Sequence, residues 1–170
     1  MYGTIVKTTI STLLALCLSL AMTAGVIAGD GNAAAVAKIE RLTVYKSPTC
    51  GCCKVWIKHV NQAGFKTATE QPANLNDVKS ELGVPPQVRS CHTAVSESGY
   101  VFEGHIPAKL IKRFLADPPD DALGLTVPGM PVGSPGMESG NRFMPYDVLL
   151  INKDGSTAVY ASMKTAAEQY

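Results

Sequence analysis

Between residues 39 and 47 apolar and polar side chains alternate, with Leu42 and Val44 separated by Thr43 and followed by Tyr45. A period of two predicts a strand with one buried face. The period lengthens over 52–64, where Trp56, Val60 and Ala63 recur on one side of a helix and Gly64 suits its C-terminal end. A short strand over 65–70 follows. Residues 74–83 read as a second helix, with Asn74 as cap, Asp77 in the first turn and Leu75, Val78 and Leu82 turned inward. Residues 91–105 hold two short strands around Ser98-Gly99. Pro107 opens a third helix with a buried stripe of Leu110, Ile111, Phe114 and Leu115, and Pro118 and Pro119 stop it. From 124 to 142 Gly, Pro, Ser and Met dominate and no period is visible. Residues 146–162 close the chain as a hairpin around Asp154-Gly155.

The order is strand, helix, strand, helix, an inserted segment, helix and a terminal hairpin. A strand feeding directly into a cysteine-bearing helix start points to a thioredoxin-like α/β sandwich. Here it would carry an inserted segment and a Gly/Pro/Met-rich loop. The thioredoxin pattern also has a loop proline facing the cysteines, a part open to Pro128 or Pro131.

The first residues follow a different rule. Lys7 is the only charge before Asp30, and the stretch between is apolar at its centre and small at its end. That profile predicts a secretory signal peptide over 1–28, with cleavage after Val26-Ile27-Ala28 or as late as Ala33-Ala34-Ala35. Cys17 leaves with it. A flexible lead-in over 29–38 and one domain over 39–170 remain, with no stable membrane anchor after cleavage. Lys plus Arg number 15 and Asp plus Glu 14, so there is no electrostatic case for nucleic acid as a partner.

Four cysteines stay in the mature chain: Cys50, Cys52, Cys53 and Cys91. In an oxidising compartment they could form two structural disulfides, with three possible pairings. Cys50 and Cys53 are spaced C-x-x-C at a helix start, where free N–H groups favour thiolate. A dithiol oxidoreductase has no use for the third thiol, Cys52. Three converging thiolates instead make a soft-metal site, selective for Cu(I), zinc or an iron–sulfur cluster. Cys91 is the candidate fourth thiolate. Its neighbour His92 points the opposite way in an extended strand, so His92 is an auxiliary candidate, as is His105. His59 is expected in solvent. Met130 and Met137 each follow Pro-Gly, among residues that do not build a core element. Thioethers favour Cu(I) and bind without losing a proton, so this loop separates a copper site from a zinc site.

Taken together, "SPTCGCCKVWIKHV", "SCHTA", "GYVFEGHIPA" and "GLTVPGMPVGSPGME" resemble the exported bacterial copper-resistance proteins of the CopG type. The resemblance covers nearly all of the chain after Ile39. It implies a thioredoxin-like periplasmic protein that holds several Cu(I) ions in a cluster bridged by thiolates, with copper redox chemistry open to it. Residue by residue, Cys50, Cys52, Cys53 and Cys91 match the family's cysteines, and Met130 and Met137 its Pro-Gly-Met segments. The expected partners are copper donor or acceptor proteins of the cell envelope. Two other readings stay open: a cell-envelope thiol–disulfide oxidoreductase, and a structural zinc module ligated by Cys₃His or Cys₄.

Overall fold

The computed structural model describes residues 40–170. The expected signal peptide over 1–28 and the lead-in over 29–38 lie outside the described residues. Strand β1 (Arg41–Lys46) leads into helix α1 (Gly51–Gln62), then strand β2 (Lys66–Glu70) and helix α2 (Leu75–Glu81). A 3-10 turn at Pro86–Val88 precedes β3 (His92–Ser96) and β4 (Val101–Glu103). Helix α3 (Ala108–Ala116) connects to β5 (Ala122–Thr126), and β6 (Tyr146–Asn152) and β7 (Thr157–Met163) form the closing hairpin.

All seven strands join one sheet in the order β2-β1-β3-β4-β5-β6-β7. β1 pairs parallel with β2 across α1, and β4 pairs parallel with β5 across α3. The other four pairings are antiparallel. One face of the sheet carries the larger core: Leu42, Val44, Ala94 and Phe102 meet Trp56 and Val60 of α1 and Ile111 and Phe114 of α3. The alternate positions of the strands belong to the opposite face. There Val101 and Ile151 join Val84 and Val88 in a smaller cluster near α2. The result is the thioredoxin-like α/β sandwich expected from the residue pattern.

Several details differ from the pattern. The two short strands around Ser98-Gly99 sit in the middle of the sheet, and the terminal hairpin extends its far side. Part of the stretch that lacked a period is strand β5. It lies between two other strands, and the run Ala-Leu-Gly-Leu-Thr is too short and too interrupted by glycine to show alternation. In α2, Leu75, Val78 and Leu82 are half-buried, while the fully buried residue is Lys79. The residue just ahead of central strand β3 that meets the cysteines is Cys91, and no peptide bond among the described residues is cis, at Pro128 and Pro131 included.

Phe114 anchors the larger core. Its ring is fully buried and meets Tyr100, Phe102 and Tyr160 edge-on, with centroids 5.0, 5.6 and 6.1 Å away. Phe114→Ala is expected to lower unfolding free energy by about 3–5 kcal/mol through the cavity it leaves, measured by chemical denaturation.

Candidate metal centre

β1 ends at Lys46, and a tight turn closed by Cys50 N–H donating to Ser47 O at 3.1 Å delivers the chain to α1. Cys50 is the cap of that helix: its Sγ accepts the Cys53 N–H at 3.3 Å. A free N–H at a helix start needs an acceptor, and sulfur supplies it here in place of the usual oxygen. Cys50 and Cys53 are joined in a disulfide, so in this state neither is the free thiolate expected from the spacing. Cys52 and Cys91 are free thiols. Cys52 Sγ lies 3.5 Å from Cys50 Sγ and 4.0 Å from Cys91 Sγ, and Cys91 Sγ lies 3.6 Å from Cys53 Sγ. All four sulfurs fall within 4.8 Å of one another.

Cys91 reaches this cluster because of strand register. β3 runs antiparallel to β1 with Lys46 opposite His92. The start of β3 is therefore beside the end of β1, and Cys91 stands beside the turn that carries Cys50.

Both auxiliary histidines are brought in, and both are fully buried. His105 Nδ1 is 2.8 Å from the Pro135 carbonyl, which can only accept, so Nδ1 carries the proton. Its Nε2 then offers a lone pair to Cys91 Sγ at 3.0 Å. His92 Nδ1 lies 3.3 Å from the same sulfur. The single S–H of Cys91 can serve one imidazole, and His105 has no proton to give in return. His92 must donate from Nδ1, which leaves its Nε2 a buried nitrogen with no hydrogen-bond partner. The strand-alternation argument chose Cys91 over His92. The structure gathers both, because Cys91 precedes the regular strand. Trp56 backs the pair: its indole donates to Ile106 O at 2.9 Å, and its ring lies 4.4 Å from that of His92.

The two Pro-Gly-Met units enter through their backbones. Gly129 O accepts the Ser90 hydroxyl, and Gly129 N donates to Arg89 O at 3.3 Å, so the first unit is tied to the residues before Cys91. Gly136 lies against the first turn of α1. A Cβ there would sit 2.8 Å from Trp56 N and 2.9 Å from Cys52 O, and its φ of +87° is also unfavourable to a side chain. Met137 is half-buried, whereas Met130 is 51% exposed. The loop is held from behind by the C-terminal turn Ala166–Gln169, through Gln169 Nε2 donating to Gly133 O at 2.9 Å and Tyr170 OH donating to Glu138 at 2.9 Å.

His59 is not solvated. It is half-buried, and its Nε2 accepts the Ala108 N–H at 3.0 Å, capping α3 in place of the side chain Pro107 lacks.

Burial governs the electrostatics. It pushes the Cys91 thiol up to about 12, with neighbouring Cys52 adding to the rise. Burial also holds all three imidazoles below their ordinary value. For His92 the neighbouring His105, Lys79 and Lys46 lower it further. For His105 the Pro135 carbonyl and Glu138 pull the other way, and for His59 Glu138 does. Lys46 continues the inward series of Leu42 and Val44 and is buried, with its ammonium on Ser47 O at 2.6 Å. The pocket thus offers sulfur and neutral imidazole donors, and neither group of ligand-forming residues contains a carboxylate. That donor set suits a soft ion and not magnesium or calcium.

The comparisons with known proteins agree with this chemistry. A family model described as a protein of unknown function, DUF411, matches residues 88–137. Two solved structures, both described as copper resistance protein CopG (form 1 and form 2), are 44% identical to this chain. They cover 72% and 73% of it, the chain covers 96% and 98% of them, and the TM-scores are 0.68 and 0.69. The chain belongs to the CopG family. No curated protein matches at a significant level. A CopG-family chain with a cluster of soft donors fits a copper-related function. No helix among its described residues is long and apolar enough to cross a membrane.

The histidine shifts have a stability consequence. Each imidazole resists protonation in the fold and takes a proton readily once unfolded. Their contribution is present above pH 6.5, the unfolded value, and fades as pH falls below it. Each fully unprotonated histidine adds roughly 1.4 kcal/mol of lost stability per pH unit. Denaturation of the metal-free protein between pH 7 and pH 5 should show this loss, and His59→Gln should make the slope shallower.

Proposed function

We propose that this protein holds Cu(I) in a cluster bridged by the thiolates of Cys50, Cys52, Cys53 and Cys91, and so serves copper tolerance. The observation that carries the reading is the meeting of four sulfurs from two distant segments within 4.8 Å. Cu(I) takes few ligands, so four thiolates crowd one ion but can each bridge two. Bridging spreads their negative charge over several ions. The His92 and His105 nitrogens beside Cys91 add neutral donors to the same volume. Met137, half-buried in the loop over the first turn of α1, suits the auxiliary thioether role better than exposed Met130 does.

Loading requires the reduced protein. Opening the Cys50–Cys53 bridge takes two electrons and two protons, which a dithiol reductant supplies. Cys91, held as a thiol by burial, releases its proton to solvent as the metal binds, as metal-binding thiols must. Closing the Cys50 and Cys53 thiolates into their disulfide releases two electrons, which two Cu(II) ions accept to become Cu(I), and this extends the proposal to copper redox chemistry. Export through the segment over 1–28 to the periplasm, and exchange with copper donor or acceptor proteins of the cell envelope, complete it.

A second reading has an observation of its own. A disulfide spaced C-x-x-C at a helix start is the arrangement of a thiol–disulfide oxidoreductase. In that case Cys52→Ser keeps insulin-reducing activity and Cys50→Ser abolishes it.

The reduced protein, titrated with Cu(I) against a competing chelator, is expected to take up more than one ion per chain. Cys52→Ser and Cys91→Ser should each lower that number and weaken retention at least about tenfold. Binding of a single ion, indifferent to the loss of Cys52, would sink the bridged cluster.

A further inference from the structure

Cys91 is the one sulfur of the cluster that does not sit at the start of α1, and it lies in the turn that leads into β3. Behind it, on the α2 face of the sheet, lies a buried ion pair that the copper chemistry does not use. Lys79 and Glu103 are 2% and 0% exposed, and Lys79 Nζ donates to Glu103 Oε1 at 2.5 Å. The same Oε1 accepts the Ser90 N–H at 2.6 Å, and Oε2 accepts the Thr93 hydroxyl at 2.5 Å. Lys79 also donates to Thr93 Oγ1 at 2.9 Å. The carboxylate therefore grips residues on both sides of Cys91 and His92. Ser90 in turn donates its hydroxyl to Gly129 O in the first Pro-Gly-Met unit.

Taking two charges out of water is costly, and an apolar pair of similar size often gives equal or greater stability. An ion pair in this place calls for a role that an apolar pair could not fill. An apolar side chain has no acceptor for the Ser90 N–H, which here goes to Oε1 while the Thr93 hydroxyl goes to Oε2.

We propose that Glu103, with Lys79 as its counter-ion, is a positioning residue that fixes Cys91 in the metal centre through the Ser90 backbone. Glu103 orients the Cys91 thiol from the far face of the sheet, and Lys79 holds the carboxylate in place. This rests on the copper reading for its metal arm only.

Two double variants test it. Lys79→Met with Glu103→Leu removes both charges and both acceptors. Lys79→Met with Glu103→Gln removes the charges but keeps a carbonyl for the Ser90 N–H. Each is compared with the parent for thermal unfolding, for iodoacetamide labelling of Cys91 in the reduced protein, and for Cu(I) uptake. The Leu variant, still folded, should label Cys91 about tenfold faster, the factor expected for loss of a buried hydrogen bond. It should also fall to the copper number of Cys91→Ser. The Gln variant should label and load like the parent. Parent-like labelling in a folded Leu variant overturns the proposal. Should the Leu variant not fold, a folded Gln variant that labels tenfold faster overturns it equally, because the acceptor alone would not be holding Cys91. If the parent takes up no Cu(I), the copper reading fails, and the labelling arm still decides whether Glu103 positions the thiol.

Discussion

The antiparallel pairing of β3 with β1 is the constraint on which the centre depends. It sets Lys46 opposite His92 and so puts the entry of β3 beside the turn into α1. Thirty-eight positions separate Cys53 from Cys91 along the chain, yet their sulfurs end 3.6 Å apart. A one-residue slip in this register would turn every side chain of β3 to the other face. The slip would take Ala94 and His92 out of the core and move Cys91 away from the helix start. The larger core, with Leu42, Val44 and Ala94 under Trp56 and Val60, is therefore also what assembles the sulfurs.

The same core sets the chemistry of the donors. Apolar surroundings keep His92 and His105 neutral and Cys91 protonated, so the metal-free pocket carries little of the negative charge it would bear when loaded. Buried lysines stand on both sides of the sheet, Lys46 toward α1 and Lys79 toward α2. In the proposed loaded state the thiolates bear negative charge, and a charge that develops away from water needs a partner nearby. Glu103 tempers one of the two lysines and leaves the other to the pocket.

The Gly/Pro/Met-rich loop works mainly through main chain. Gly136, seated on the first turn of α1, allows a contact that a Cβ would block, and Gly129 is tied by its backbone to the turn before Cys91. Its Pro135 carbonyl fixes the tautomer of His105. The methionines that drew notice in the sequence share the loop with these backbone contacts, and one of them is half exposed. What binds the two halves of the site together is peptide backbone, a feature no side-chain pattern reveals.

The strands and helices near the cysteines were legible because their signals are local. Alternation at Leu42 and Val44, the 3.6-residue spacing of Trp56 and Val60, and Asn74 at a helix start all act within a few residues. The C-x-C-C spacing is local in the same way, and it marked three of the four sulfurs that the fold gathers. Strand β5 was hidden because burial on both faces and a central glycine erase alternation. His59 looked like a surface residue because the N–H it caps belongs to a helix 49 positions away. Lys79 and Glu103 had a faint signal: Lys79 shares a helix face with Leu75 and Leu82, and Glu103 shares a strand face with Val101. Nothing in either segment says that they meet. By itself the sequence determined which atoms could bind and what kind of ion they prefer, because softness and charge belong to the residue. Which of those atoms share a pocket, and in which protonation state, the tertiary structure alone decided, because distance and dielectric are properties of the packed chain.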